Sequence, residues 1–294
     1  MSSLFFERFR ILFVFKNNRK MKEKIDFQNV VAETLLIPLA MRARESRRRK
    51  KALLHDPLAE RLVASIDYDY SKFGRAPMSA LGCVIRSSLY DGKVQEFIRS
   101  RRNPVVVNVG CGLDTRYQRI TDRRSARFYE MDLPEVIAVR EKLIPPPKGD
   151  EYLSGSVLET DWMDRLRERH PDGEFIFTIE GVVMYFREEQ VRSILRSLAE
   201  RFPGGIVCVD FCGSKMVGTG LKPDSLRNNA AEIRSGVDDG HLVEEWVPQL
   251  KLIRQWLYMD FARGRWGVLG VLFRLFPKFT RKFSSLCMYK ILPR

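Results

Sequence analysis

The chain is poor in the residues that staple small folds or hold metals. It has five cysteines and three histidines in 294 residues. The cysteines (Cys83, Cys111, Cys208, Cys212 and Cys287) are odd in number, and no two stand in C-x-x-C spacing. Cys208 and Cys212 lie four apart in an apolar, strand-like run with no histidine near enough to complete a zinc set. These absences exclude a disulfide-stapled miniprotein and give no metal site. They suit small buried hydrophobes in a reduced, cytoplasmic setting. Long apolar runs are missing too. The longest one near the N-terminus is Ile11 to Phe15, too short for a signal-peptide core or a bilayer span. No stable membrane insertion is therefore expected.

What is present is globular. Hydrophobic residues make up 45% and charged residues 30%, enough for a sizeable core and unlike a disordered or collagen-like chain. The net charge of +14 is unevenly spread. Residues 1–51 hold 14 Lys+Arg against 5 Asp+Glu, a net of +9, and the other 243 residues carry only +5. The first 25 residues read as a separate basic and apolar segment: Phe5, Phe6, Phe9 and Ile11 to Phe15 stand among Arg8, Arg10 and Lys16. Three readings compete for it. It is an interfacial helix on anionic lipid, a targeting segment, or a disordered or mis-assigned start with Met21 as the true one. A start at Met21 lowers the net charge to +10. The basic run Arg42 to Lys51 reads as a solvated helix face near the ligand cleft.

Residues 26–103 form a helical lead-in. Val30, Val31, Leu35, Leu36 and Leu39 recur at helical spacing, His55-Asp56-Pro57 interrupts, Leu58 to Ile66 resumes, and Ala80 to Arg102 reads as one helix. The pattern then alternates. Strands are expected at 104–109, 126–131, around Tyr152-Leu153, at 175–179 and at 205–211, with helices at 134–143, 162–169 and 188–201 between them. Lys251 to Asp260 and Ser284 to Leu292 supply two last strands, and residues 213–250 a mobile, lid-like insert. Alternating strands and helices mean an α/β, doubly wound, mostly parallel seven-stranded sheet that binds ligand at the strand carboxyl ends.

The first strand runs into Gly110-Cys111-Gly112, a turn that lets backbone approach a ligand closely. The dinucleotide fingerprint G-x-G-x-x-G fails here, because Thr115 stands at the third glycine position and Asp114 would repel a pyrophosphate. An amine-bearing cofactor such as S-adenosylmethionine tolerates Asp114 better. Asp132 follows Gly110 by 22 residues and ends the second strand, where a carboxylate accepts both ribose hydroxyls. It can also cap the helix that Pro134 opens.

Four co-linear motifs resemble one family. Val107-Asn108-Val109-Gly110-Cys111-Gly112-Leu113-Asp114-Thr115-Arg116 is similar to the G-x-G-L-D-T-R signature of the leucine carboxyl methyltransferase family, which includes polyketide O-methyltransferases of the tetracenomycin type. Tyr129 to Pro134 resembles its E-x-D-x-P motif, and Glu180 to Phe186 its E-G-x-x-M-Y-L motif. Arg86, with Tyr90-Asp91 and Phe97-Ile98, resembles its upstream arginine helix. The likeness covers roughly residues 30–215.

The resemblance implies a Rossmann-like S-adenosylmethionine-dependent methyltransferase whose single domain occupies residues 26–294. It places the cofactor against Arg86, Gly110, Cys111, Gly112, Asp114, Asp132, Leu133, Ser156, Val157 and Glu180. Gly110 would pack under the methionine part, Arg86 would meet the carboxylate, Asp132 the ribose and Glu180 the methionyl amine. Ser156 and Val157 would lie beside the adenine, with Ser156 in place of the family's usual aspartate. The reaction implied is in-line methyl transfer to oxygen, on a carboxylate or a phenolic hydroxyl of a small, anionic or phenolic acceptor. Tyr185 and His241 are the candidates to assist it, whereas His55 and His170 look structural. The alternative is a methyltransferase, or a non-catalytic relative, that binds nucleic acid or anionic membrane through the basic N-terminus. The fourth strand end lacks the N-P-P-Y or D-P-P-Y type of motif that holds a base amino group: Ile179-Glu180-Gly181-Val182 ends the strand at 175–179 instead.

Overall fold

The computed structural model describes residues 22–23, 34–74, 76–218, 221–227 and 229–293. The expectations for residues 1–21, and for the helical spacing of Val30 and Val31, lie outside these. The lead-in consists of α1 (Leu36–Ser46), α2 (Pro57–Ser65) and α3 (Pro77–Ser100). Glu23 pairs with Ile66 in a short parallel bridge just past α2. The alternating part follows as β1 (Pro104–Val109), α4 (Arg116–Arg119), β2 (Arg127–Asp132), α5 (Pro134–Leu143), β3 (Asp150–Ser154), α6 (Asp161–Arg169), β4 (Glu174–Ile179), α7 (Glu188–Arg201) and β5 (Ile206–Cys212). The chain closes with α8 (Leu242–Trp246), β6 (Leu250–Trp256), α9 (Gly267–Leu275), α10 (Pro277–Arg281) and β7 (Ser284–Ile291).

The seven strands form one sheet in the order β3-β2-β1-β4-β5-β7-β6. β1 to β5 are parallel, and β7 runs antiparallel between β5 and β6. Strand order reverses between β1 and β4, the place where a doubly wound sheet opens a crevice at its carboxyl edge. β1 is buried on both faces, as a central parallel strand must be. Val105, Val107 and Val109 pack with Trp162 and Leu166 of α6 and Leu195 and Leu198 of α7. Val106 faces the other way, against Leu81, Ile85, Val94 and Ile98 of α3. α3 is thereby fixed across the sheet, and α1 and α2 pack onto its first turns and onto Leu113.

One expectation about local structure changes. Arg42 is not on a solvated face: it is 2% exposed and its Nε lies 2.9 Å from Asp56 Oδ2. Asp56 also caps α2 by accepting from Ala59 N at 3.0 Å, so one carboxylate holds two helices together. The glycine turn leads into a single helical turn, α4. The basic, apolar stretch at 264–283 is helical, as α9 and α10.

Candidate active site

The carboxyl ends of β1, β2, β4 and β5 border a cavity of about 740 Å³, within the range of small-molecule sites. β1 reaches it through the glycine turn. Gly110 N and Cys111 N both donate to Met131 O, at 2.8 and 3.1 Å, which draws the turn toward β2. Gly110 has φ +66°, and a Cβ there would stand 2.3 Å from Val182 Cγ2. Two motifs distant in sequence therefore meet: the side chain after Glu180-Gly181 rests on the bare backbone of Gly110. Only glycine allows both the left-handed backbone and that approach.

β2 delivers Asp132. Its Oδ2 accepts from Gly112 N at 2.7 Å and its Oδ1 from Leu133 N at 2.8 Å. Burial raises the pKa of this carboxyl, and the two backbone hydrogen bonds work against the rise. Each oxygen keeps further acceptor capacity. Leu133, Ser156 and Val157 line the same wall of the cavity, with Met131 and Val136.

β4 and β5 bring the opposite wall, which is charged. Arg86 of α3 reaches between them: Nε donates to Glu180 Oε2 at 3.2 Å and Nη1 to Asp210 Oδ2 at 2.7 Å. Asp210 also accepts from Gly181 N at 2.7 Å, which ties the loop after β4 to β5. Arg116 holds the other oxygen of Glu180 through Nη2. Its Nε donates to Asp91 at 2.8 Å and its Nη1 to Thr178 at 2.7 Å and Asn108 at 3.1 Å. Two guanidinium groups thus clamp Glu180 from opposite sides, in a site where each arginine is under one-tenth exposed. An ion pair this deep fixes orientation more than it stabilises the fold.

Every one of the ten residues expected to face a cofactor lines this single cavity, from Arg86 and the glycine turn to Ser156, Val157 and Glu180. Tyr185 joins them. Burial pushes its hydroxyl up to about 12, so at neutral pH it is a hydrogen-bonding phenol and not a base. His241 does not join them. It stands exposed just before α8, with Nδ1 3.3 Å from Glu244, and the cavity wall does not include it. His170 hydrogen-bonds Tyr129 Oη at 2.8 Å, in keeping with its structural reading. Asp114 borders the cavity, but its carboxylate is engaged elsewhere: Arg119 Nη1 lies 2.6 Å away. Burial opposes its charge, yet Arg119, Arg42 and Arg116 outweigh burial and hold its pKa well below the usual range.

Asp210 was not legible as a site residue, although a lone carboxylate in the apolar run Val207-Cys208-Val209-Asp210-Phe211 was a signal. Arg116 and Asp91 lay inside quoted motifs without a role. Asp224 and Tyr258 line the cavity from loops that carry no pattern.

A model of the leucine carboxyl methyltransferase family matches residues 36–199. The chain belongs to this family. It is an S-adenosylmethionine-dependent methyltransferase. The chain is 29% identical over 230 residues to the tetracenomycin polyketide synthesis O-methyltransferase TcmP of Streptomyces glaucescens, across 78% of this chain and 84% of that one. It is 26% identical over 264 residues to the S-adenosyl-L-methionine-dependent methyltransferase dpfgK of Gibberella zeae, across 83% and 88%. A DUF574 family protein from Streptomyces avermitilis shares the fold, with a TM-score of 0.54 at 12% identity over 86% of this chain and 97% of that one. The methyltransferase's cleft suits the donor on its own features. The carboxylate of Asp132 is fixed by the amides of Gly112 and Leu133, and Arg86 and Glu180 line the same cavity from α3 and the end of β4.

Proposed function

We propose that this methyltransferase transfers a methyl group to oxygen on a small molecule, to a carboxylate or a phenolic hydroxyl that is ionised when it binds. The observation that carries this reading is the state of the titratable groups around the cavity. No histidine lines it among the described residues. Asp114, Glu180 and Asp210 are held by arginines, and Asp132 and Asp224 by backbone amides. Burial raises the Cys83, Cys111 and Cys212 thiols and the Tyr185 hydroxyl, so none of them is a base at neutral pH. A protonated amine would need a group to take its proton. A carboxylate needs none.

When bound, S-adenosylmethionine supplies an electrophilic methyl on a sulfonium that leaves readily. The residues that would hold it are Asp132 at the ribose, Gly110 and Gly112 along the methionine part, Arg86 and Glu180 at its charged end, and Leu133, Ser156 and Val157 at the base. The chain's remaining task is to orient the acceptor and exclude water. Residues 221–227 cover the cavity for this purpose. Asp224 accepts from Met78 N at 3.0 Å and Ser79 N at 2.9 Å, capping α3, whose own N-cap residue, Ala76, offers no side-chain bond. The cover is therefore latched to the helix that carries Arg86.

The test is a screen of carboxylic acids, phenols and amines with radiolabelled donor, followed by pH–rate profiles. The expected profile follows the acceptor's own pKa along a series of phenols and is flat for carboxylates above their pKa. Faster turnover of amines, or one fixed ascending limb shared by all acceptors, would overturn the assignment.

A further inference from the structure

α9 wears its apolar face on the outside. Val268, Val271, Leu272 and Leu275 fall at i, i+3, i+4 and i+7, one stripe of a helix, and they are 47–78% exposed. Phe276 and Phe279 extend the stripe, at 62% and 49%. The helix is nonetheless firmly seated. A Cβ at Gly270 would stand 2.2 Å from Trp266 Cβ, and the rings of Phe273, Phe279 and Phe283 meet at centroid distances of 5.4–6.2 Å. Thr280 Oγ1 donates to Phe273 O at 2.5 Å, locking α10 to α9. A seated helix that turns a contiguous apolar stripe outward marks a contact surface.

Charge selects the occupant. Residues 261–283 contain six Lys and Arg and no Asp or Glu. Lys278 and Lys282 are exposed and have no acidic partner among the described residues. A second copy docked face to face would set basic rim against basic rim. The N-terminal segment, with five basic residues and one acidic in its first 20, carries the same sign. An anionic lipid surface satisfies both features, burying the stripe at the headgroup boundary and neutralising the rim. The surface is also continuous with the cavity, whose wall includes Trp266, Leu269, Phe273 and Phe283.

We propose that α9 and α10 dock the enzyme on an anionic bilayer. Resting on the methyl-transfer reading of the cavity, we infer further that a lipophilic, anionic acceptor enters from that bilayer beside Leu269 and Phe273. The test is flotation of the full chain with vesicles of phosphatidylcholine and phosphatidylglycerol in equal parts, against vesicles of phosphatidylcholine alone. Three variants accompany it: Val268→Glu with Leu272→Glu, Lys278→Glu with Lys282→Glu, and Phe9→Glu with Phe13→Glu. Thermal unfolding and S-adenosylhomocysteine calorimetry check each for fold and cofactor binding.

The proposal expects the wild type to float with anionic vesicles, less so as salt rises. It expects a loss of tenfold or more in the first two variants, with cofactor binding unchanged. Equal flotation of wild type and the α9 variant would overturn it. So would loss only in the Phe9 and Phe13 variant, or a dimer in light scattering that the α9 substitutions abolish without any vesicle binding. A chain that binds S-adenosylhomocysteine but never floats sinks the docking surface and leaves the methyl-transfer reading standing. A chain that floats through α9 without binding S-adenosylhomocysteine does the opposite.

Discussion

Replacing Gly110 by alanine tests how the two halves of the cleft fit together. The backbone at Gly110 has φ +66°, a left-handed conformation that costs a residue with a Cβ roughly 1–2 kcal/mol. The added carbon would also stand 2.3 Å from Val182 Cγ2 and 3.3 Å from Cγ1. Val182 packs against the main core, so it cannot simply swing aside. Forcing one extra carbon into such a contact costs about 1–3 kcal/mol. The two contributions sum to about 2–5 kcal/mol, a large part of the ~5–15 kcal/mol that holds a typical domain together. Gly110→Ala should therefore lower stability by that amount in urea titration and weaken S-adenosylhomocysteine binding in calorimetry, because the turn must move. Adding Val182→Ala should recover the steric part and leave the backbone part. Refutation is direct: a Gly110→Ala chain within about 0.5 kcal/mol of wild type, or a double variant no better than the single, means the contact does not organise the cleft.

Further outcomes follow from the site. Asp132→Ala should abolish most cofactor affinity in calorimetry while the fold survives; near-wild-type affinity would sink the ribose role. Asp224→Ala removes the tertiary cap of α3 and should cost about 1 kcal/mol, with faster amide exchange across residues 76–80 and 221–227; unchanged exchange there would mean the cover is held by other contacts. Asp150 is buried with neither carboxylate oxygen hydrogen-bonded among the described residues, and burial first, then Glu130, pushes its pKa up to about 8. The unfolded chain gives up that proton near pH 4, so the stability this group contributes is full below about pH 4 and is lost as pH rises through about 8. The loss is on the order of a few kcal/mol. Asp150→Asn should flatten the decline of urea stability between about pH 5 and pH 9; parallel curves for variant and wild type would contradict the raised pKa.

The strand ends were legible in sequence because a buried parallel strand is a short apolar run, and the residue that follows it must turn. That places Gly110, Asp132 and Glu180 at one sheet edge with no knowledge of side-chain contacts, and the motifs that carry them name the family. The order in which the strands pair was legible only as a class, since nothing local tells β7 to insert between β5 and β6. Arg42 misled for a physical reason. In a run of seven basic residues its charge argues for solvent, and only the fold brings Asp56 within 2.9 Å to reverse that argument. His241 misled similarly: its place in a glycine-rich insert suggested the cleft, and its side chain is exposed outside the cavity wall.

Sequence patterns were enough for the class of fold and, through four co-linear motifs, for the family, and the methyltransferase activity comes with the family, because strands, glycine turns and motifs are short-range features. Tertiary structure alone decided which charges neutralise one another. It pairs Glu180 with both Arg86 and Arg116, and it gives Asp210 a partner 124 residues away. It likewise turned the stripe of α9 outward. A helical period shows that an apolar face exists, and only the packing of Trp266, Gly270 and Phe273 shows which side of the helix is left over to meet something else.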